Sequence, residues 1–258
     1  MKRAKVGRRR TPCGFTLVEL LLVMSIIIML VGLLLPAVNA AVVAVRAAAS
    51  ENTIHQLEAA LETFRSDWGM YPPSKLGKDG WNQSPGNGYD ALLWYLVGPE
   101  GRGWGSLSVN KVSPFGGIAS APYGPYYKTS DPGSGGLSPI QDAFKPPKYI
   151  FYYRCEPADG DSAYDYGNNN AGNVDTTIGC FTQKGFPLLV KPKDPVTGTY
   201  RWVRPDYLLM CAGADRFWGY VKEVPSSGAG GNTLSQDVTE DDVNSGVAMC
   251  DDICNFKH

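Results

Sequence analysis

The chain has 258 residues, of which 43% are hydrophobic and 19% charged, so it is long enough to bury a core of ordinary size and its composition excludes a disordered tail protein. The formal net charge is −1, but six of the 24 lysine and arginine residues lie within the first ten positions, which leaves 18 of them against 25 acidic residues in the rest of the chain. An acidic body argues against a nucleic-acid-binding domain, because contacts with phosphates require a basic face.

A long apolar segment follows this basic start. Between Thr11 and Val45 the only charged side chain is that of Glu19. About 20 apolar residues at a helical rise of about 1.5 Å cross the ~30 Å hydrocarbon layer, and preceding cations hold the N-terminus in the cytoplasm. The pattern predicts a membrane-spanning helix over residues 15–38, with everything after it exported. The segment exceeds the apolar core of a secretory signal, which is about 7 to 15 residues long.

The junction between the two segments carries the most specific motif, Gly14-Phe15-Thr16-Leu17-Val18-Glu19. It resembles the type III signal of the type IV pilin and type II secretion pseudopilin superfamily. The resemblance implies that a prepilin peptidase cuts between Gly14 and Phe15, removes residues 1–14 as a leader and methylates the new N-terminus at Phe15. An uncleaved signal anchor is the plainer alternative.

Glu19 requires an explanation of its own. A lone carboxylate in lipid costs about 2.5 to 3.5 kcal/mol even on mild insertion scales, so it should mark a function and have a partner. The nearest candidate is the α-ammonium group created at Phe15, in the same chain or in a neighbouring subunit. Opposite charges at close range offset desolvation and fix the axial register between subunits. The family resemblance gives the same assembly role to Glu19.

Residues 39–68 continue the helix, because they are rich in helix-forming residues. Gly69 predicts its end, and Pro36 with the nearby Gly32 marks an expected weak point where the helix could kink or melt. One apolar stripe makes this second half amphipathic and predicts that it packs on a globular head. The stripe consists of Ile54, Leu57, Leu61 and Phe64.

Residues 69–258 form a loop-rich head, with a high content of glycine and proline. Residues 90–97 predict a short helix, and four segments rich in β-branched or aromatic residues predict strands. We therefore expect an α+β fold in which one long N-terminal helix covers a small antiparallel sheet with long loops. The four strand segments are residues 148–154, 188–191, 200–203 and 207–211.

The head resembles that of the major pseudopilin of type II secretion in four segments that occur in the same order. Residues 121–137, 156–184 and 216–250 depart from that family, because they are longer than its compact head. The resemblance implies a calcium ion in the C-terminal loops, for which clustered aspartates are suitable ligands: Asp215, Asp251 and Asp252. Solvated loop acids are the alternative. The four matching segments are residues 64–72 together with 89–92, residues 142–149, residues 207–215 and residues 251–256.

Five cysteines follow the predicted cleavage point, so at least one lacks an intramolecular partner. An oxidising envelope permits disulfides, and Cys155 with Cys180, at the two ends of one loop, is the first candidate pair. We expect no catalytic site. The two histidines, His55 on the long helix and His258, are poorly placed to serve as bases for a nucleophile, and the glycines of residues 101–105 indicate a loop rather than a phosphate cradle.

The sequence therefore predicts a pseudopilin. It would sit in the inner membrane with its head in the periplasm, and then assemble into a homo-oligomeric helical filament that drives the export of folded proteins. The expected partners are the prepilin peptidase, other pseudopilins and the inner-membrane assembly platform. One alternative is a type IV pilin or minor pilin for adhesion, motility or DNA uptake. The other is a signal-anchored envelope enzyme or binding protein.

Overall fold

A long N-terminal helix and a small antiparallel sheet define the fold, which confirms the expected α+β class. The chain divides into two compact units, Met1–Ala44 and Val45–His258. The computed structural model describes residues 16–74, 88–98, 101–105, 113–119, 121–128, 140–155, 206–215, 217, 222–225, 232–235, 238–245 and 249–255.

The elements in chain order are helix α1 (Leu17–Trp68), helix α2 (Gly88–Val97), strands β1 (Phe151–Arg154), β2 (Tyr207–Cys211), β3 (Lys222–Pro225) and β4 (Asn232–Ser235), helix α3 (Glu240–Asn244) and strand β5 (Ile253–Cys254).

Among the described residues, the first unit contains Thr16 and the N-terminal part of α1. Every described residue up to Ala44 is exposed, and the large apolar side chains, such as Leu17 and Ile28 at 74% and 71% exposure, point outward in all directions. α1 is long and apolar enough to cross a membrane. The helix is continuous through Gly32 and Pro36, so the expected weak point is not a break in this structure.

The second half of α1 packs on the head through the predicted stripe. Ile54, Leu57, Leu61 and Phe64 are each at most 1% exposed, which confirms the amphipathic pattern. Burying one such side chain contributes about 1.5 to 3 kcal/mol. α1 ends at Trp68, where Gly69 takes the left-handed conformation (φ +77°) and donates its N–H to the carbonyl of Arg65 at 2.8 Å. This is the glycine stop that the sequence predicted.

The central sheet has the order β1-β2-β5 and is antiparallel throughout. Phe151 lies opposite Met210, and Cys211 lies opposite Ile253. One face, carrying Tyr152, Leu209 and Cys211, joins the core formed with α1 and α2. Strand β2 matches its predicted bounds, whereas β1 begins at Phe151 because Tyr149 forms only an isolated bridge with Gln141.

Polar contacts fix the second half of α1 to the head at both ends. The buried hydroxyl of Ser50 accepts a hydrogen bond from the amide of Ala143 at 3.0 Å. Near Gly69, the hydroxyl of Tyr71 donates to Glu62 at 2.8 Å and accepts from Arg65 at 2.9 Å. These contacts set the rotation of the helix on the sheet, because each joins a side chain of α1 to a loop of the head.

Three elements were not predicted: the hairpin β3–β4, helix α3 and strand β5. Helix α3 begins with a capping box, in which the carboxylate of Asp242 accepts from the amide and hydroxyl of Thr239, both at 2.8 Å. The ammonium of Lys222 at 2.8 Å and these two donors lower the pKa of Asp242 to about 2.

The predicted strands at 188–191 and 200–203 lie outside the described residues.

Candidate functional site

The start of α1 is built around Thr16 and Glu19. Oε2 of Glu19 accepts hydrogen bonds from the amide of Thr16 at 2.9 Å and from its hydroxyl at 2.8 Å. The amide of Glu19 donates in return to Oγ1 of Thr16 at 3.2 Å. This reciprocal arrangement is a capping box, and it satisfies two amides that a helix start otherwise leaves without partners.

The capping box turns the carboxylate of Glu19 back toward the N-terminus. The amide that donates to this carboxylate is that of Thr16, the residue that follows Phe15 in the sequence. Gly14 and Phe15 themselves lie outside the described residues. Thr16 is a functional candidate that our sequence reasoning missed, although the Thr-x-x-Glu spacing signals a capping box.

The two loops that carry the predicted calcium ligands come together at the end of the sheet. Oδ2 of Asp251 accepts from the amides of Ala214 and Asp215 at 2.7 and 2.9 Å. Gly213, at φ +52°, permits this approach, because a Cβ atom there would come within 2.4 Å of the Asp251 carbonyl and carboxylate oxygens. The two segments to which the resemblance assigns calcium ligands are therefore in direct contact.

The carboxylates of Asp215 and Asp251 interact with each other. Burial, together with the nearby Asp251 carboxylate, raises the pKa of Asp215 to about 7. Oδ1 of Asp215 accepts one backbone hydrogen bond, from Phe217 at 2.8 Å. Two carboxylates at adjacent loops are hard oxygen donors of the kind that calcium prefers, and backbone carbonyls would have to complete six to eight ligands.

Asp252 takes a different position from Asp251. Asp251 is exposed and Asp252 is 6% exposed, as expected for consecutive residues of an extended chain that point to opposite sides. Burial raises the pKa of both Cys250 and Cys254, and the nearby Asp252 carboxylate raises it further. Within the described part of the chain, no three His, Cys, Asp or Glu side chains converge as a metal site, so the structure brings together two of the three predicted ligands.

The register of the sheet limits which cysteines can form a disulfide. Cys211 lies opposite Ile253 and Cys254 opposite Met210, so the two thiols occupy opposite faces and cannot be bridged without backbone movement. Cys211 is fully buried, and burial raises its pKa to about 12. The backbone of Cys155 donates to the Asp206 carbonyl at 2.8 Å. Cys180 lies outside the described residues, so the Cys155–Cys180 disulfide stays a prediction.

Of the remaining sequence candidates, the structure describes His55 and residues 101–105, whereas His258 lies outside the described residues. His55 is exposed on α1, with its ring 3.1 Å from Glu58 and 3.9 Å from Glu51. In the glycine segment 101–105, the indole of Trp104 is buried and donates to the carbonyl of Tyr95 at 2.9 Å. That segment is a packing loop, as expected.

Comparison with protein families gives one match. Residues 9–35 match the family described as the prokaryotic N-terminal methylation motif. No curated protein and no solved structure matches the chain. The matched residues include the junction at Gly14 and Phe15, the capping box and the first part of the apolar helix, so the match supports a type IV pilin-like protein with a prepilin cleavage signal and a membrane anchor.

Proposed function

We propose that this protein is a pseudopilin of a type II secretion system, which is processed at Gly14 and assembles through α1 into a periplasmic filament that drives the export of folded proteins. The observation that carries the proposal is the methylation motif. Its carboxylate, that of Glu19, accepts a hydrogen bond from the amide of Thr16 at the start of an exposed apolar helix. A prepilin-type motif implies processing by a prepilin peptidase and pilus-like assembly.

The exposed apolar surface of α1 supports assembly. Apolar side chains cover all sides of the helix up to Val43, so lipid or other copies of the same helix must surround it. Copies related by a head-to-tail contact that does not close form an open helical filament. The same surface therefore serves a membrane-inserted precursor before assembly and the core of a filament after it.

The head supports type II secretion as the process. Two of the four segments that resemble the major pseudopilin are residues 207–215 and 251–256, and their described residues are in contact. β2 pairs with β5, and Asp251 accepts hydrogen bonds from the two amides of Ala214 and Asp215. Segments far apart in the sequence thus meet where the resemblance implies a shared site. The N-terminal motif is common to pilins and pseudopilins, so the choice of type II secretion rests on the head.

Deletion of the gene tests the process. We expect folded exoproteins to accumulate in the periplasm and to fall in the culture medium, and a plasmid copy of the chain to restore their export. Adhesion, twitching motility and DNA uptake should stay unchanged in the same strain. Loss of any of these with normal export would contradict the proposal and identify a type IV pilin or minor pilin instead.

The same proposal includes a calcium ion held by Asp215 and Asp251. A ligand that binds only the native head stabilises it by mass action, about 2.7 kcal/mol at 100 times the dissociation constant. For a unit of this size we expect millimolar calcium to raise the melting temperature of residues 45–258 by about 5 to 10 °C relative to chelator. Calorimetry with calcium, magnesium and chelator measures the shift.

Two variants make the calcium test specific. Asp251→Asn should abolish the shift, because it removes a carboxylate that faces Asp215, and Asp241→Asn should retain it, because the Asp241 side chain is exposed on α3. An equal melting temperature of the unaltered head in calcium and in chelator would remove calcium from the proposed function.

A further inference from the structure

A lysine from a distant part of the sequence lies near the two carboxylates of the candidate calcium site. Lys148 belongs to the loop of residues 140–150, in which the amide of Asp142 donates to the Lys148 carbonyl at 2.9 Å. The amide of Lys148 donates in return to Oδ1 of Asp142 at 3.1 Å. The amide of Ile150 donates to the carbonyl of Ile140 at 2.9 Å, which closes the loop immediately before β1. These hydrogen bonds fix the backbone of Lys148 relative to the sheet.

Phe217 connects the ammonium group of Lys148 with Asp215. Nζ of Lys148 lies 5.8 Å from the centroid of the Phe217 ring, whose negative face attracts a cation. The amide of the same Phe217 donates to Oδ1 of Asp215 at 2.8 Å. Lys148 is half-buried, and its positive charge opposes the rise in pKa that burial causes at Asp215. The fold therefore places an ammonium group beside the carboxylate of Asp215.

The two carboxylates are held close to each other by the backbone. Oδ2 of Asp251 accepts from the amides of Ala214 and Asp215, and Gly213 leaves no room for a Cβ atom between the two loops. Repulsion between the carboxylates cannot be relieved by separating the loops without breaking these hydrogen bonds. A nearby cation offsets such repulsion, and the positive charge of Lys148 acts on Asp215 in this way.

We propose that Lys148 is a built-in cation that competes with calcium for the Asp215 and Asp251 carboxylates and thereby sets the calcium affinity of the head. This inference rests on the calcium ion of the proposed function. An ammonium group has three donors and no acceptor, so it cannot be a calcium ligand and is repelled by the bound ion. The flexible four-carbon stem of a lysine allows the ammonium group to withdraw when calcium binds. Without calcium, the same group offsets the charge of the two carboxylates.

Calorimetric titration of the full-length protein in detergent with calcium chloride tests the competition. Lys148→Met removes the charge and keeps an unbranched apolar side chain, and we expect it to raise the calcium affinity about ten-fold or more, because a repulsive charge is removed. Lys148→Arg keeps the charge and should bind calcium about as weakly as the unaltered protein. Lys145→Met is the matched control, because Lys145 is an exposed cation of the same loop, and its affinity should not change.

Thermal unfolding in chelator tests the role of Lys148 without calcium. Lys148→Met should lower the melting temperature of the head by about 2 to 4 °C, because the two carboxylates then lack a counter-charge. The same change in an Asp215→Asn background should have little effect, since only one carboxylate remains, and an amide oxygen can still accept from Phe217. The difference between the two effects isolates the interaction of Lys148 with the Asp215 charge.

The outcomes separate this inference from the proposed function. Equal calcium affinity of Lys148→Met and the unaltered protein would overturn the competition while leaving the calcium ion in place. An equal gain in affinity with Lys148→Arg would also overturn it, because the charge would then be irrelevant. Equal effects of Lys148→Met in both backgrounds in chelator would refute the counter-charge. If neither the unaltered protein nor Lys148→Met binds calcium, the calcium part of the proposed function fails, and the competition fails with it.

Discussion

Replacement of Gly14 by leucine is expected to leave the full-length precursor in the membrane, with no detectable mature form. A peptidase that cuts after this residue must bring the backbone close to its catalytic groups, and a branched side chain at the cleaved bond obstructs that approach. The helix that follows is unchanged, so membrane insertion should proceed normally. Immunoblotting of membrane fractions measures the result, because loss of residues 1–14 changes the apparent mass.

Gly7→Leu is the matched control for this experiment. Gly7 lies in the same leader and undergoes the same change of side chain, but it is seven residues from the proposed cleavage point. We expect normal processing of the Gly7 variant when the prepilin peptidase is present. Efficient production of the mature form from Gly14→Leu would contradict the assigned cleavage site, and an uncut unaltered protein would identify a simple signal anchor.

The sequence predicted those parts of the fold that depend on local patterns. The stripe from Ile54 to Phe64 is buried because its spacing matches one face of a helix, and α1 ends at Trp68 because Gly69 takes a left-handed conformation at no steric cost. β2 was predicted from the composition of residues 207–211, and all five residues are buried in the central strand of the sheet.

Elements that depend on partners distant in the sequence were missed. Strand β5 is two residues long, and Ile253 and Cys254 are extended because they pair with the end of β2, more than forty residues earlier. Helix α3 has five residues, too few for a periodic pattern, and it begins where Thr239 and Asp242 form a capping box. The Thr-x-x-Asp spacing was visible in the sequence, but such short motifs also occur in loops.

In the candidate calcium site, too, one part could be predicted from the sequence and another part depends on the fold. Asp215 and Asp251 were selected by resemblance, and the structure places them together because Gly213 allows the chain to turn closely against Asp251. Asp252 could not be distinguished from Asp251 by sequence alone, because the two residues are chemically identical and differ only in burial: Asp251 is exposed and Asp252 is buried.

Replacement of Glu19 by glutamine is expected to leave membrane insertion and cleavage largely intact while blocking filament assembly. Removing a carboxylate makes the span more apolar, so insertion should improve if it changes at all. The structure adds a reason for a specific effect on assembly. Both donors of Thr16 hold Oε2 of Glu19 at the first turn of α1. In the proposed mature protein Thr16 would be the second residue, so we expect the carboxylate to pair with the new ammonium group.

In the Glu19→Gln variant each incoming subunit would bring an ammonium group into an apolar core with no compensating charge. Truncating one partner of a buried ion pair typically costs about 3 to 5 kcal/mol, which corresponds to about two to four orders of magnitude in each association equilibrium. Because the cost recurs at every subunit, filaments should be nearly absent from the sheared fraction while processed subunits accumulate in the membrane.

The control keeps the charge and shortens the side chain. Glu19→Asp retains a carboxylate three residues after Thr16, and the same Thr-x-x-Asp spacing closes the capping box of α3, where Asp242 accepts both donors of Thr239 at 2.8 Å. We therefore expect Glu19→Asp to assemble measurably and Glu19→Gln not to. If Glu19 only reached the headgroups at the cytoplasmic interface, both variants would assemble like the unaltered protein, since an exposed carboxylate there has no register to set. Filament yield equal to the unaltered protein in Glu19→Gln would thus show that the charge pair does not determine subunit register, whereas loss in Glu19→Gln with recovery in Glu19→Asp would assign that role to the carboxylate itself.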